Sequence, residues 1–242
     1  MPGKVLLSLG GKKVLEHVVG RIRRARLVRD VVVATTIQEE DLEIVRFCAE
    51  NKIRVYVGSE QDVLDRYYQA ARLFHVDHVV RITADCPVID PRIINRVIAR
   101  HLASRSDLTA NILRETFPDG QDVEVFTFSA LSRAWKEAKL ASQREHVTPY
   151  LKDHPTLFKL TNVACRENLG KMRWTLDNKE DFLFLKHIFN ALYDKKKIFG
   201  MEDILRYLRT HPEVEKINGL LERNEGYKKS LRQDRPVGTE WR

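Results

Sequence analysis

The sequence is poor in the features that mark secreted, membrane-bound and disulfide-stabilised proteins. Its 242 residues include only three cysteines, Cys48, Cys86 and Cys165, and their wide spacing matches no zinc motif. An odd number of dispersed cysteines is typical of reduced thiols, so we expect a cytoplasmic protein. No stretch is apolar for long enough to form a membrane helix. The N-terminus also lacks the apolar run and cleavage site of a secretory signal, and we expect no membrane partner.

Several motifs of well-known enzyme classes are absent as well. The chain contains neither the Walker pattern G-x-x-x-x-G-K-[ST] nor the Rossmann pattern G-x-G-x-x-G. It shows no serine or cysteine triad and no histidine cluster at metal-ligand spacing. Hydrolysis by a nucleophilic side chain is therefore disfavoured.

The formal net charge is +8, and part of it lies in the arginine-rich segment at residues 21–29. Such a segment could bind nucleic acid. However, no aromatic residues interleave with these arginines, and cations at the end of a helix oppose its dipole. We therefore expect no nucleic-acid partner. A small anionic substrate such as a nucleotide also suits a positively charged protein.

The first half of the chain alternates between the two kinds of hydrophobic periodicity. Helical spacing alternates with β-branched or alternating runs, which predicts right-handed crossovers and a mostly parallel sheet with helices on both faces. Ligands bind at the carboxyl ends of the strands in such sheets, which draws attention to Thr35 and Asp85. The predicted elements are a helix at 13–27, a strand at 31–36, a helix at 42–49, a strand at 53–58, a helix at 64–74, a strand entering a polar loop at 78–90, and a helix from Pro91.

The pattern changes after about residue 107. The segment FPDGQDVEVFTF predicts a turn and then a strand, with Val123 and Val125 on one face and Asp122 and Glu124 on the other. Residues 172–177 alternate in the same way, and helices are predicted at 180–193 and 200–213. The last twenty residues are polar and basic, and we expect them to pack poorly. We divide the chain into a domain at 1–193 and a helical, basic extension at 194–242.

Two aspartates follow predicted strands that are far apart in sequence. Asp85 could cap or decorate a loop, and Asp177 could end a turn, whereas Asp90 directly precedes Pro91 and is expected to cap a helix. Together, Asp85 and Asp177 suit Mg²⁺ on a nucleotide, because that ion uses one or two protein carboxylates and keeps waters for the rest. Lys4, beside a glycine-rich turn, could reach phosphates.

Two further polar segments could contact a nucleotide or sugar. Arg66 lies in DRYYQAAR, and Arg144 and His146 lie in SQREHVTPY. The simpler interpretation of Arg66 is a solvated helix surface. For the second segment it is a capping box formed by Ser142 and Glu145.

Seven stretches together resemble the SpsF-type cytidylyltransferases, which are grouped with the acylneuraminate cytidylyltransferases and CMP-KDO synthetases. The resemblance covers about residues 2–193, and NEGYKKSL near the C-terminus resembles tails in the same group. The stretches, in order, are PGKVLLSLGGKKVLEHVV, VVVATT, GSEQDVLDRYYQAA, VVRITADCPVIDP, TFPDGQDVEVF, REHVTPY and RWTLD.

The resemblance implies a Rossmann-like nucleotide-diphospho-sugar transferase fold that binds CTP and Mg²⁺. A hydroxyl group of a sugar or sugar acid would attack the α-phosphorus, and pyrophosphate would leave. It also implies a possible homodimer formed through the FPDGQDVEVF segment. The implied roles are catalysis by Lys4, Asp85 and Asp177, metal binding by Asp85 and Asp177, nucleotide binding by Gly3, Lys4, Thr35, Arg66 and Arg81, and sugar binding by Asp122, Glu124, Arg144 and His146.

The resemblance also implies that one element is absent. Members of the family begin with an apolar strand and a loop resembling ARxxSSRLPGK, and Met1 stands where the leucine of that loop is expected. The absent strand would lie mid-sheet, between residues 31–36 and 79–84. Unpaired backbone groups on both neighbours would each cost about 1–3 kcal/mol if buried.

Two alternatives stay open at this point. The chain could be an inactive nucleotide-binding relative or a partner subunit. It could also be a glycosyltransferase that uses a nucleotide sugar. Such enzymes usually carry an aspartate-any-aspartate motif, however, and the corresponding place here reads Asp85-Cys86-Pro87.

Overall fold

The structure is a computed structural model that describes residues 1, 3–194 and 197–238. Within these residues no helix is long and apolar enough to cross a bilayer. The strands are β1 Ser8–Leu9, β2 Lys12–Lys13, β3 Val32–Thr36, β4 Arg54–Gly58, β5 His78–Arg81, β6 Leu108–Ala110, β7 Glu124–Thr127 and β8 Leu160–Asn162. The α-helices are α1 Val14–Ile22, α2 Leu42–Glu50, α3 Val63–Leu73, α4 Pro91–Ser104, α5 Phe128–Glu137, α6 Ala141–His146, α7 Pro149–Asp153, α8 Lys179–Leu192, α9 Met201–Thr210, α10 Pro212–Glu215 and α11 Glu225–Arg232.

The N-terminal half follows the predicted alternation of strands and helices. Strands β3 and β4 pair in parallel, with Val33 opposite Val55. Helix α4 begins as expected, because the Asp90 side chain accepts a hydrogen bond from the backbone N–H of Arg92 and Pro91 occupies the first turn. The α/β class predicted from periodicity is confirmed for this half.

The second sheet is mixed, which corrects the expectation of mostly parallel pairing. Its order is β5-β7-β6-β8. Strand β7 runs antiparallel to both β5 and β6, and β6 and β8 are parallel. Residues 111–123 turn the chain back so that β7 lies between two earlier strands. Gly120 sits in this turn at a φ of 95°, and a Cβ there would lie 2.7 Å from the backbone of Trp174.

The two sheets are separate. Among the described residues, the free edges of β3 and β5 pair with no strand, and these are the strands expected to flank an absent element. Side chains from both sides still share one apolar cluster, in which Val5, Val33 and Ala84 are partly buried. This break lies beside the loop that carries Asp85.

Residues 172–177 are extended but form no strand. A single bridge joins Arg173 to Asp119, and the N–H of Leu176 donates to the carbonyl of Asp85 at 2.9 Å. The predicted apolar face is nevertheless buried, since Trp174 and Leu176 lie in the main core with helix α8. The extended segment therefore brings Asp177 close to the loop after β5.

The C-terminal residues make specific polar contacts with the body, although none of residues 219–238 is buried; residues 239–242 of the tail that was expected to pack poorly lie outside the described residues. We call residues 218–238 the C-terminal strap. Ser142 donates to Asp234 at 2.7 Å, and the N–H of Val237 donates to the carbonyl of Lys139 at 2.8 Å. These polar contacts fix the strap across one face of the molecule. The division at residues 193 and 194 stays a prediction.

The segment at 117–126 lies inside the monomer. All of its residues are buried except Asp122, which is partly exposed. Little of this segment is left for contact with a second copy, and a dimer interface through it, as the resemblance implied, stays a prediction. A homodimer formed through another surface stays a prediction.

Candidate active site

A cavity of about 620 Å³ opens beside the loop that follows β5. It is lined by residues from the N-terminus, the loop after β5, strand β7, the α6–α7 turn, the extended segment and the strap. The lining residues used below are Met1, Lys4, Arg81, Asp85, Asp119, Asp122, Glu124, His146, Thr148, Lys152, Asp177, Tyr227 and Lys229.

Lys4 joins the two candidate metal ligands. Its Nζ lies 2.8 Å from Oδ2 of Asp85 and 2.7 Å from Oδ1 of Asp177. The two carboxylate oxygens therefore converge on one position, although the residues are far apart in sequence. The sequence-based expectation that distant aspartates meet agrees with this geometry.

Local backbone structure explains why these three side chains meet. Gly3 adopts a φ of 64° and starts a 3₁₀ turn at Lys4–Leu6. The hydrogen bond from Leu176 to Asp85 brings the two aspartate-bearing segments together. Lys4 does not precede α1 directly, because the β1–β2 hairpin with its Gly10–Gly11 turn intervenes. The positive end of α1 is therefore not the feature that places Lys4.

The ion pairs keep Lys4 and Asp85 in their charged forms. Burial disfavours the charged form of Lys4, but Asp85 and Asp177 outweigh it and raise the pKa of Lys4 above its ordinary value. Burial also raises the pKa of Asp85, yet the Lys4 ammonium outweighs this and leaves the pKa below its ordinary value. Lys4 is therefore a cation, and Asp85 an anion, at neutral pH.

The donor set fits a hydrated magnesium ion. Both facing atoms are carboxylate oxygens, which this hard cation prefers, and the cavity leaves room for water or phosphate oxygens. In the part of the chain that the structure describes, no group of three or more acidic, histidine or cysteine side chains could hold a metal. A metal here would depend on these two aspartates and would replace the Lys4 ammonium between them.

Glu124 forms a buried ion cluster on the other side of the cavity. Its side chain is 2% exposed and contacts Arg81 at 2.6 Å, Lys152 at 2.8 Å and Thr148 at 2.7 Å. Burial raises the pKa of Glu124, but the two cations and the hydroxyl outweigh it and lower the pKa to about 2. Arg81 and Glu124 are cross-strand partners in β5 and β7, so the sheet register sets this pair.

Two further carboxyls, Asp119 and Asp122, lie between these clusters. Arg223 of the strap donates to Oδ1 of Asp122 at 2.7 Å, and Arg173 donates to Oδ2 of Asp119 at 3.0 Å. Burial is the larger effect on both carboxyls and raises the pKa of Asp119 to about 6 and that of Asp122 to about 7, although the neighbouring arginines lower both values. The strap therefore supplies the counter-charge for the floor of the cavity.

His146 and the strap form the outer wall. The Nε2 atom of His146 lies 2.9 Å from Oγ of Ser230, and its ring packs edge-on against Tyr227. Burial lowers the pKa of His146, which favours the neutral ring. Lys229 lines the same wall, and no described residue forms an ion pair with it.

Several predicted ligands do not reach the cavity. Thr35 is buried and donates to Asp41 at 2.9 Å, Arg66 packs beside Gly58, and Gly3 only supports its neighbour Lys4. Arg144 is buried in an ion pair with Asp62. None of these four residues lines the cavity, and their predicted roles in binding nucleotide or sugar stay predictions.

The α6 start corrects the predicted capping box. The helix begins at Ala141, with Ser142 inside it, and Gln143 accepts from the backbone N–H of Leu140 at 3.3 Å. The Ser142 hydroxyl instead donates to Asp234 of the strap. A polar group that looked like a local cap therefore makes a long-range contact.

Sequence reasoning did not single out Arg173, Asp119, Lys152, Arg223 or Lys229. Two of them could have been found from the sequence. Arg173 lies on the polar face of residues 172–177, next to the predicted ligand Asp177, and Asp119 lies in the predicted turn before Asp122. Lys152 and the two strap residues carried none, because single polar residues on helices and tails are usually solvated.

Comparison with known proteins agrees with this architecture. A family model described as cytidylyltransferase matches residues 1–227. The chain belongs to the cytidylyltransferase family, and the resemblance seen in the sequence is confirmed.

Relatives match over most of their length. Protein MJ1063 of Methanocaldococcus jannaschii, named as uncharacterized, is 38% identical over 223 residues, which is 90% of this chain and 88% of that protein. The spore coat polysaccharide biosynthesis protein SpsF of Bacillus subtilis is 28% identical over 220 residues, covering 88% of this chain and 90% of SpsF.

Solved structures show the same fold. A cytidylyltransferase from Leptospira borgpetersenii superposes with a TM-score of 0.84 at 30% identity, covering 88% of this chain and 90% of that one. A nucleotidyl transferase from Methanothermobacter superposes with a TM-score of 0.59 at 16% identity, covering 78% and 85%. The Rossmann-like nucleotidyltransferase fold is thereby confirmed, and the chain is a nucleotidyltransferase of this family.

Proposed function

We propose that the chain transfers CMP from CTP to a hydroxyl group of a sugar or sugar acid and releases pyrophosphate. The observation that carries this proposal is the convergence of Lys4, Asp85 and Asp177 in an open cavity. Membership of the cytidylyltransferase family and the name of the SpsF relative support a role in surface polysaccharide or glycan biosynthesis.

The acidic pair supplies the metal site in this proposal. Asp85 and Asp177 would hold Mg²⁺, which when bound neutralises charge on the phosphate oxygens. Lys4 would then turn its ammonium from the carboxylates to a phosphate oxygen. A preorganised cation of this kind stabilises the charge that develops as pyrophosphate leaves.

The opposite side of the cavity would bind the acceptor. Glu124, held by Arg81 and Lys152, offers a fixed carboxylate edge for sugar hydroxyls. Asp122 and the neutral ring of His146 add hydrogen-bonding groups to the same wall. Residues held rigidly in this way orient a substrate and so lower the barrier without taking part in bond breaking.

A cytoplasmic location is part of the proposal. CTP and reduced thiols occur there, and in the described residues Cys48, Cys86 and Cys165 form no disulfide.

Pyrophosphate release tests the proposal directly. The purified chain is incubated with CTP, MgCl₂ and a panel of sugars and sugar acids, with UTP, ATP and GTP in parallel reactions. CTP-dependent release that needs one acceptor class and is lost in Asp85→Asn supports the proposal. CTP binding in calorimetry without release from any acceptor would instead support an inactive relative or a partner subunit.

A further inference from the structure

Arg173 lies almost completely buried behind the acidic pair. Its side chain is 4% exposed, and its nitrogen atoms make five hydrogen bonds, which matches the five N–H donors of a guanidinium group. Nη2 donates to Oδ2 of Asp177 at 2.8 Å. The remaining contacts are Nε to Asp181 at 2.9 Å, Nη2 to Asp181 at 3.0 Å, Nη1 to Asp119 at 3.0 Å and Nη1 to the carbonyl of Glu222 at 3.0 Å.

The two oxygens of Asp177 have different partners. Oδ2 is held by Arg173, and Oδ1 faces Lys4 at 2.7 Å. The Asp177 side chain is 44% exposed, so its packing does little to fix it. Arg173 therefore sets the direction in which Oδ1 points.

Arg173 is itself fixed to the backbone that carries Asp177. Asp181 is fully buried, and both of its carboxylate oxygens accept hydrogen bonds from the Arg173 guanidinium. It also accepts hydrogen bonds from the backbone N–H groups of Asp177 and Asn178, each at 2.9 Å. Asn218 of the strap donates to Asp181 and to the carbonyl of Arg173, both at 2.9 Å. The arrangement is a rigid frame around a single exposed carboxylate.

We propose that Arg173 is a positioning residue that holds Asp177 so that its Oδ1 atom and Asp85 bind one divalent cation together. The inference depends on the proposed metal-dependent function. According to this inference, Arg173 and Asp181 increase the affinity for the metal in addition to stabilising the fold. Groups that orient a metal ligand typically contribute about 10- to 100-fold to metal affinity.

The test measures Mn²⁺ binding by calorimetry and electron paramagnetic resonance in the presence of saturating CTP. Arg173→Gln should weaken Mn²⁺ binding at least tenfold, while CTP binding in EDTA stays close to that of the wild type. Arg173→Lys should also weaken it, because one ammonium cannot span Asp181 and Asp177 as a planar guanidinium does. This second variant decides the question if Arg173→Gln fails to fold.

A matched control separates positioning from general loss of stability. Arg144 is also buried and paired with a buried carboxylate, but it does not line the cavity. Arg144→Gln should lower the melting temperature and leave Mn²⁺ affinity unchanged.

A double-mutant cycle provides the decisive comparison. If Arg173 acts through Asp177, then Asp177→Asn combined with Arg173→Gln should bind Mn²⁺ no more weakly than Asp177→Asn alone. Additive losses, or wild-type Mn²⁺ affinity in folded Arg173→Gln or Arg173→Lys, would overturn the inference and leave the proposed function intact. Failure of the wild type to bind Mn²⁺ with CTP would remove the proposed function itself, and this inference with it.

Discussion

Replacing Lys4 by methionine should have opposite effects on metal affinity and on turnover. The ammonium occupies the position where the Asp85 and Asp177 oxygens converge, so a divalent cation must displace it. Methionine keeps a similar length of side chain but removes the competing charge. We expect Lys4→Met to bind Mn²⁺ more tightly without nucleotide and to turn over more slowly with CTP, because the phosphates lose a cation.

The size of the effect follows from the two hydrogen bonds that the metal must break. A charge-assisted hydrogen bond contributes about 1.5–3 kcal/mol, and solvent screening reduces that value at exposed sites. Lys4, Asp85 and Asp177 have side chains that are 25%, 20% and 44% exposed, so we take about 2 kcal/mol for both bonds together. This corresponds to about 30-fold tighter Mn²⁺ binding, since 1.4 kcal/mol is tenfold.

Electron paramagnetic resonance of free Mn²⁺ at low ionic strength measures this affinity. Lys13→Met is the matched control, because it removes the same charge from the exposed N-terminal hairpin, away from the cavity. It should leave Mn²⁺ affinity unchanged. If Lys4→Met binds Mn²⁺ as weakly as the wild type or more weakly, the aspartates do not share one cation site with Lys4.

The other predictions concern the two ends of the cavity. Asp85→Asn and Asp177→Asn should each abolish Mg²⁺-dependent pyrophosphate release while the melting curve stays cooperative; near-normal rates in either variant would disprove the metal assignment. Glu124→Gln should lose about 3 kcal/mol of stability, because it leaves the partly exposed cations Arg81 and Lys152 without the buried carboxylate that pairs with both. Since the pKa of Glu124 falls from 4.5 to about 2 on folding, this stabilisation is complete above pH 4.5 and is lost towards pH 2. Urea unfolding of wild type and variant should therefore converge over that range, and a constant difference would contradict the reasoning. Lys229→Ala should raise the KM for the acceptor and leave the KM for CTP unchanged, whereas Lys228→Ala, whose ammonium pairs with the strap's own Glu222, should change neither; equal effects of the two lysines would show that the wall does not contact the acceptor.

Periodicity and local chemistry predicted much of the N-terminal half. The β-branched run at 31–36 forms strand β3, which is only partly buried, and Asp90 with Pro91 starts α4 as expected. Asp85 and Asp177 meet because strand ends and extended segments gather at one edge of an α/β fold. These inferences needed only residue spacing and the rule that ligands bind where strands end.

The direction of strands and the partners of polar residues could not be obtained in the same way. An alternating run looks identical in a parallel and an antiparallel pair, so the reversed direction of β7 left no trace in the pattern. Arg144 was assigned to a sugar by its surroundings in sequence, but its partner Asp62 lies 82 residues away. Only the folded chain decides which buried carboxylate such an arginine neutralises.

The ion pairs of Lys4 are easier to break than the ion pairs of Glu124, which also line the cavity. Glu124 is buried and has two cations, and Asp122 is paired with Arg223, which also donates to the carbonyl of Phe117. Breaking the Glu124 pairs would leave a cluster around a buried carboxylate without charge balance, which is costly. Lys4 is instead partly exposed and joins two acids with one cation, so a divalent ion can replace it and improve the charge balance. The Lys4 ion pairs are therefore contacts that the arrival of a metal–nucleotide complex can exchange at lower cost than the Glu124 pairs, which keep the shape of the cavity.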